Sequence, residues 1–243
     1  MTTKNFTITS NNGYYDYPLP EGAPFRARIT LKGVSAPEEV ERYAAAGPFV
    51  LLGQIHSRRV IEGATAARYP GKDQADGILL APGDPCSGLR FGDCAPVIIL
   101  SMAERPWCLL LHSGFPGTSK NITESGMQLA REKYGVPDSE RLFAWVGPCI
   151  SGKCYSRKLD DPATQEALKT FIPEAVRMAD EYAFFDLKRQ ITHQLCAEGL
   201  REDHIFIETQ CTCCQSDLFY SHRRQAGGYD PRMLVTVQPL WCG

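Results

Sequence analysis

Short apolar runs of strand length recur along this chain, and they restrict its fold more than any other feature. The runs are rich in Val, Ile, Leu and Phe, polar and turn-forming residues separate them, and they are much too short to span a bilayer. We therefore expect a protein built on β-strands. The predicted strands are Phe25–Leu31, Phe49–His56, Gly77–Ala81, Val97–Met102, Trp107–His112, Leu142–Gly147, His204–Thr209 and Met233–Gln238.

Four other segments have the features of helices. Pro37–Ala46 carries acidic residues in its first turn and is followed by a glycine. A second helix is expected to begin after Asn121, a residue suited to N-capping, and to stop at Gly135. A third starts at Asp186, and a fourth covers Pro162–Phe171.

Strands outnumber helices in this pattern, which favours a mixed β-sheet flanked by helices over a regular alternation of strand and helix. The expected fold class is thus α/β, of the α+β type. The 243 residues show no internal repeat, low-complexity stretch or long linker. We therefore expect a single domain over residues 1–243.

Charge and cysteine content narrow the class of protein. The chain has 26 Lys and Arg against 28 Asp and Glu, a net charge of −2, without a basic block. We therefore expect neither nucleic acid nor a membrane as partner, but a small-molecule substrate. The first residues lack the apolar segment of a secretory signal, so a cytoplasmic location is expected. The ten cysteines then indicate metal binding, catalysis or packing rather than disulfides.

Three residues stand out because each is predicted at a boundary between strand and loop. His56 and His112 end predicted strands, and Cys94 lies three residues before the start of one. At such positions a rigid sheet can hold reactive groups open to substrate. Two imidazoles and a thiolate suit zinc, and copper is a second option. Three protein ligands leave a fourth position for water or substrate, as in a catalytic site.

The spacing of these residues matches no local metal motif, so two other interpretations stay open. Each of the three could be an unrelated core residue. Cys94 could instead be the nucleophile of a metal-free cysteine hydrolase that acts on an amide, with His112 as its base. Asp93 would then orient a partner or only cap the turn.

An ordered set of further motifs resembles the laccase-domain family, also called the multi-copper polyphenol oxidoreductase or purine nucleoside phosphorylase family. The similarity runs from about Phe49 to the C-terminus. The segments that carry it are Gln54-Ile55-His56-Ser57, Ala75-Asp76-Gly77, Asp93-Cys94-Ala95-Pro96-Val97, His112-Ser113-Gly114-Phe115-Pro116-Gly117, Gly147-Pro148-Cys149-Ile150, Cys154-Tyr155, Cys211-Thr212 and Phe219-Tyr220-Ser221-His222-Arg223-Arg224.

The resemblance implies that His56, Cys94 and His112 are both the metal ligands and the catalytic residues. It also implies a single domain with a fold like that of cysteine hydrolases. The implied activity is zinc-dependent chemistry on purine nucleosides: phosphorolysis of adenosine, inosine or methylthioadenosine, adenosine deamination, or both. Some relatives are suggested to edit cell-wall precursors, which would suit the hydrolase alternative. Polyphenol oxidation is disfavoured, because a laccase needs paired His-x-His ligands and the chain has only five histidines and no such pair.

The sequence departs from the family at the position where an arginine could hold an anion. Pro116 stands there, and proline offers neither a charged side chain nor a backbone donor. Other residues could hold phosphate or another part of the substrate. The candidates are Gln54, Ser119, Lys120, Arg223 and Arg224.

The remaining cysteines raise a separate question. Cys211 and Cys214 are spaced as Cys-x2-Cys, and Cys149 and Cys154 as Cys-x4-Cys. Both spacings are compatible with a structural zinc site. The sequence therefore leaves a second metal site open. The other expectation for these residues is packing, which we also expect for Cys86, Cys108, Cys196 and Cys242, the last of which lies outside the residues that the structure describes.

Overall fold

The computed structural model describes residues 2–9, 12–71, 73–225 and 231–240. Within these ranges it contains fifteen strands and five α-helices. The strands are β1 (Lys4–Phe6), β2 (Tyr14–Asp16), β3 (Phe25–Thr30), β4 (Phe49–Leu51), β5 (Val60–Glu62), β6 (Gly77–Leu80), β7 (Cys86–Phe91), β8 (Ala95–Ser101), β9 (Trp107–Ser113), β10 (Leu142–Val146), β11 (Ser156–Lys158), β12 (Val176–Ala179), β13 (Tyr182–Phe185), β14 (Ile205–Glu208) and β15 (Met233–Pro239). The helices are α1 (Ala36–Ala46), α2 (Phe115–Ser119), α3 (Ile122–Tyr134), α4 (Pro162–Leu168) and α5 (Leu187–Ala197).

The strands form three sheets. The largest has seven strands in the order β1-β14-β10-β8-β9-β6-β5, with antiparallel pairs at its centre and parallel pairs towards both edges. The second has the order β2-β3-β15-β7-β4, and all of its pairs are antiparallel except β4 with β7. A small antiparallel sheet has the order β11-β13-β12. The predicted mixed sheet is therefore confirmed.

Alternation along β8 shows how the layers pack. Val97 and Ile99 belong to the core on the side of α3 and α5, while Ile98 and Leu100 belong to the core shared with the five-stranded sheet. Successive residues of a strand point to opposite faces, so β8 is buried from both sides and reads as a continuous apolar run. The seven-stranded sheet thus lies between a helical layer and a second sheet. Helix α1 packs against β4, β7 and β15 of the second sheet.

The helix boundaries follow the capping signals. The Asn121 side chain accepts a hydrogen bond from the backbone N–H of Glu124 and caps α3, and Asp186 caps α5 in the same way. Helix α4 ends at Leu168, before the predicted end at Phe171. Among the described residues, no helix is long and apolar enough to cross a membrane.

Three local predictions are wrong, two of them around the candidate site. The strand predicted over Phe49–His56 ends at Leu51, and His56 lies in a bend. The segment after His112, predicted as a loop, contains the short helix α2, which begins at Phe115. His204 ends a 3-10 turn just before β14 rather than starting the strand itself.

Candidate metal and active site

Three separate chain segments bring together the predicted ligands His56, Cys94 and His112, which we call the trio. Cys94 immediately precedes β8, and His112 lies on the neighbouring strand β9, where it pairs with Pro96. His56 approaches from the bend after β4, and its ring centroid lies 4.9 Å from that of His112. The ligand atoms of the three residues all lie within 4.8 Å of one another. This spacing is short enough for one ion to contact all three.

The backbone around the trio adopts conformations that only the folded structure can impose. His56 and Asp93 have positive φ angles of 57° and 82°, in the left-handed region that side chains disfavour. Gly114 meets a different constraint, because a Cβ at that position would lie 2.6 Å from Cys94 Sγ. The absence of a side chain at Gly114 therefore leaves space for the thiol.

Asp76, which sequence reasoning left without a role, holds two members of the trio in place. Its buried carboxylate accepts hydrogen bonds from the backbone N–H groups of Ile55, His56 and Ser57 and from the Ser57 hydroxyl, at 2.6 to 3.3 Å. His112 Nδ1 lies 2.9 Å from Asp76 Oδ1. The usable signal was an acidic residue directly before a buried strand in the segment Ala75-Asp76-Gly77.

Asp93, beside Cys94, binds the C-terminal part of the chain rather than either histidine. Its carboxylate accepts hydrogen bonds from the Thr212 hydroxyl at 2.6 Å, the Ser221 hydroxyl at 3.1 Å and the Arg223 backbone N–H at 2.6 Å. These bonds fix the segment that follows β14 against the residue next to the candidate nucleophile.

The protein groups of the trio favour a thiolate beside an imidazolium. Burial opposes the charged form of Cys94, but the field of His112 and hydrogen bonds from His112 and His56 lower the pKa of the thiol to about 6. Burial likewise opposes the charge on His112, but Cys94 and Asp76 raise its pKa to about 9. For Asp76, hydrogen bonds from His112 and Ser57 outweigh burial and lower the pKa to about 2.

A cleft of about 700 Å³ opens over the trio. Its lining is strongly basic, and its other wall residues include Phe115, Pro116, Ile150 and Tyr155. The basic residues are Arg90, Arg157, Arg223, Arg232 and His222. Arg157 lies over the ring of Phe115, at 4.3 Å from its centroid. The sequence did not indicate Arg90, Arg157 or Arg232, because these residues come from distant segments without a common motif.

The structure places the predicted anion-binding residues in different environments. Gln54 and Arg223 line the cleft. The Gln54 amide also exchanges two hydrogen bonds of 2.7 Å with the backbone of Arg90. Ser119 ends α2 and Lys120 follows it, and neither residue lines the cleft. The Ser119 hydroxyl lies 3.1 Å from that of Thr170.

Arg224 is also absent from the cleft lining. Its guanidinium donates to the backbone carbonyls of Thr212, Cys213 and Phe219, at 2.6 to 3.0 Å. The arrangement gives Arg224 a structural role within this loop. It also separates two adjacent arginines that the sequence could not tell apart.

Comparison with known proteins places this site in context. The family model described as multi-copper polyphenol oxidoreductase laccase matches residues 38–238. The protein named purine nucleoside phosphorylase YlmD from Geobacillus stearothermophilus is 30% identical over 171 residues, covering 67% of this chain and 58% of the relative. Its Bacillus subtilis namesake is 30% identical over 190 residues, covering 74% and 66% respectively. The matched region is thus less than two thirds of either relative's length.

Solved structures show the same fold. The crystal structure of Geobacillus stearothermophilus YlmD superposes with a TM-score of 0.82 at 21% identity, covering 97% of this chain and 99% of that one. A Neisseria meningitidis protein superposes with a TM-score of 0.76 at 22% identity, covering 95% and 100%. The architecture is therefore shared at low sequence identity.

Proposed function

The chain belongs to the multi-copper polyphenol oxidoreductase laccase family, and on that basis we propose that it is a metal-dependent enzyme acting on purine nucleosides. The proposed reaction is phosphorolysis of adenosine, inosine or methylthioadenosine, with deamination of adenosine as a second activity of the same site. Both YlmD relatives are named purine nucleoside phosphorylases. The observation that carries the proposal is the convergence of His56, Cys94 and His112 at a cleft lined by four arginines.

The donor set fits zinc, and copper is chemically close. Two imidazoles and one thiolate are ligands that both ions accept. His112 uses Nδ1 to contact Asp76, which leaves Nε2 for a metal, and such a carboxylate partner is typical of histidines that bind zinc. A bound zinc ion would supply Lewis acidity next to the reacting bond.

The arginines supply what phosphorolysis needs in addition to the metal. A phosphate nucleophile must be held beside the sugar, and guanidinium groups bind phosphate oxygens in pairs. Arg223 is oriented by Ser156, whose carbonyl and hydroxyl accept hydrogen bonds from it at 3.0 and 3.3 Å. The charge that Pro116 cannot provide is therefore available from other residues lining the same cleft.

Laccase chemistry does not suit the placement of the histidines. All five histidines lie in the described ranges, and of these His222 alone joins His56 and His112 in the cleft lining. His193 is exposed on α5, and the ring of His204 stacks on Phe143 at 4.5 Å between centroids. A cluster of several coppers needs many more imidazoles than this cleft offers. We therefore propose nucleoside chemistry rather than polyphenol oxidation.

Incubating zinc-loaded protein with adenosine, with and without phosphate, tests the proposal. We expect adenine and ribose 1-phosphate only when phosphate is present, and inosine from any deamination in either case. The absence of both free base and inosine under both conditions would overturn it. Arg223→Ala should raise the KM for phosphate, whereas Lys120→Ala, which removes a cation outside the cleft, should leave it unchanged.

A second candidate function, a metal-free cysteine hydrolase acting on an amide, is favoured by one observation. Cys94 is the candidate nucleophile and contacts His112, the candidate base. Asp76 in turn contacts His112 and orients its ring. The hydrolase hypothesis predicts amide hydrolysis that persists in the presence of a chelator. Activity that disappears with the chelator and returns with zinc would instead support the metalloenzyme.

A further inference from the structure

A second group of three metal-ligand atoms lies outside the cleft described above. The thiols of Cys154, Cys211 and Cys214 lie within 4.8 Å of one another. The sulfurs of Cys154 and Cys214 are 3.4 Å apart. Sulfurs that share a tetrahedral zinc ion at about 2.3 Å are separated by roughly 3.8 Å. The cluster therefore has the dimensions of a metal site without any rearrangement of the backbone.

The backbone around the cluster is folded as metal-binding turns usually are. Cys211 and Cys214 are spaced as Cys-x2-Cys, and the N–H groups of Cys214 and Gln215 both bond to the carbonyl of Cys211 to form a tight turn. The N–H of Ser151 donates to Cys211 Sγ at 3.2 Å. Such N–H to sulfur bonds stabilise a thiolate ligand from outside its coordination shell.

Cys149, the fourth cysteine with a spacing compatible with zinc, does not belong to this cluster. Cys149 is fully buried, and its thiol donates to the carbonyl of Ile150 at 3.5 Å. Its backbone instead pairs with Cys211 in a parallel bridge. Cys149 thus positions the cluster through the main chain and is not a ligand.

The surroundings are suited to the charge of a metal–thiolate complex. Three thiolates and a divalent ion together carry one net negative charge. A cavity of about 520 Å³ beside Cys211 and Cys214 is lined by Lys153, Arg177 and Arg189. These cations outnumber the acidic residues of the same cavity, which are Glu174 and Asp186.

We propose that Cys154, Cys211 and Cys214 bind one thiophilic d10 ion, Zn²⁺ or Cu⁺, as a structural site distinct from His56, Cys94 and His112. Zn²⁺ would complete its coordination with a ligand from the solvent, whereas Cu⁺ is satisfied by three sulfurs. The ion would join the segment after β10 to the segment after β14. Because Tyr155 and Arg223 lie on these two segments and line the cleft, the site would stabilise that wall.

Cobalt binding tests the proposal without reference to enzyme activity. Co²⁺ substitutes for zinc, and its thiolate charge-transfer absorption grows with the number of bound sulfurs. In reduced Cys94→Ala protein, we expect about three quarters of the wild-type absorption, since three of the four thiolate ligands remain. Zn²⁺ added in excess should remove the absorption, and a parallel titration with Cu⁺ should show which ion binds more tightly.

Single substitutions in the Cys94→Ala background identify the ligands. Cys214→Ser replaces an exposed side chain and should fold normally while lowering the remaining absorption and the Co²⁺ affinity at least tenfold. Cys213→Ser changes the adjacent residue in the same way and should leave both unchanged. Lack of thiolate absorption in reduced Cys94→Ala protein would overturn the proposal. So would absorption that depends on Cys213, or a Cys154–Cys214 disulfide in a protein that binds no metal when reduced.

Discussion

Two clusters in this molecule each place three potential ligand atoms within 4.8 Å, yet their surroundings differ. The cluster of His56, Cys94 and His112 mixes nitrogen with sulfur, adjoins a basic cleft and has a buried carboxylate behind it. The cluster of Cys154, Cys211 and Cys214 offers sulfur alone and lies where two loops meet. The close approach of three potential metal ligands therefore does not by itself define what a cluster does. The neighbouring groups do, since they decide whether a bound ion can act on a substrate.

Removing one thiol from each cluster tests most directly whether the two clusters have different roles. Cys94→Ala should lower kcat/KM by about 10³-fold or more, because it removes a group at the proposed reacting centre. Cys214→Ser should change kcat/KM by less than about threefold, because that thiol lies outside the cleft. Steady-state phosphorolysis assays on both variants measure the difference. Equal losses would mean that the two clusters form one functional unit.

A smaller effect, on zinc affinity, is expected when the carboxylate of Asp76 behind His112 is replaced. Asp76→Asn keeps the shape of the side chain but replaces an accepting oxygen with a donating amide. We expect zinc affinity at the histidine-containing cluster to fall about 10- to 100-fold, the usual cost of removing a carboxylate partner from a ligand histidine. A competitive chelator titration measures this affinity. The cysteine cluster serves as an internal control, and its affinity should not change.

The thiols should also differ in their reaction with iodoacetamide when metal is absent. Cys94 has a depressed pKa of about 6, so its thiolate persists at neutral pH and is lost only as the pH falls through 6. Hydrogen bonding to Cys154 and Cys211 raises the pKa of Cys214 to about 12. At pH 7, Cys94 should therefore react at least about tenfold faster than the more exposed Cys214.

Peptide mass spectrometry over a pH series measures both alkylation rates. The rate at Cys94 should rise with a midpoint near pH 6, and added zinc should suppress it. A midpoint near the ordinary thiol pKa would show that His112 does not carry its charge in the metal-free protein. Faster labelling of Cys214 would reverse the comparison.

The apolar pattern identified the central strands of the seven-stranded sheet, but it did not show that the strands form three sheets. It offered His56, Cys94 and His112 as a set only as a hypothesis. Strands such as β8 and β9 are buried on both faces, so their apolar runs identify them without knowledge of the fold. Resemblance to the family then supplied the link between distant residues, because spacing alone could not connect His56 to His112. The expected relationship to cysteine hydrolases stays a prediction.

What the sequence could not provide depends on contacts across the fold. His56 was placed on a strand because Phe49–His56 is largely apolar, whereas the Asp76 carboxylate draws residues 55–57 into a bend. Ser119 and Lys120 were expected to bind anions, but α2 is too short to show helical periodicity, and neither residue lines the cleft. The bend at His56 is thus imposed by a tertiary interaction that overrides the local apolar pattern.

The smallest effect, on the free energy of unfolding, is expected from the hydrogen bond that joins the two clusters. Asp93 adjoins Cys94, and its carboxylate accepts a 2.6 Å hydrogen bond from Thr212, which lies between Cys211 and Cys214. Thr212→Val removes this buried bond while keeping the shape of the side chain, and Ser221 and the Arg223 backbone still serve Asp93. We expect the free energy of unfolding to fall by about 1–2 kcal/mol.

Denaturant unfolding of metal-free protein measures this cost, and Thr209→Val is the matched control. Thr209 is exposed and its hydroxyl contacts only that of Thr7, at 3.2 Å, among the bonds described, so its loss should cost less than about 0.5 kcal/mol. If Thr212→Val costs no more than Thr209→Val, the bond to Asp93 does not couple the clusters. A cost of the expected size, together with a weaker Co²⁺ affinity at the cysteines, would mean that the loop holding one cluster also positions the other.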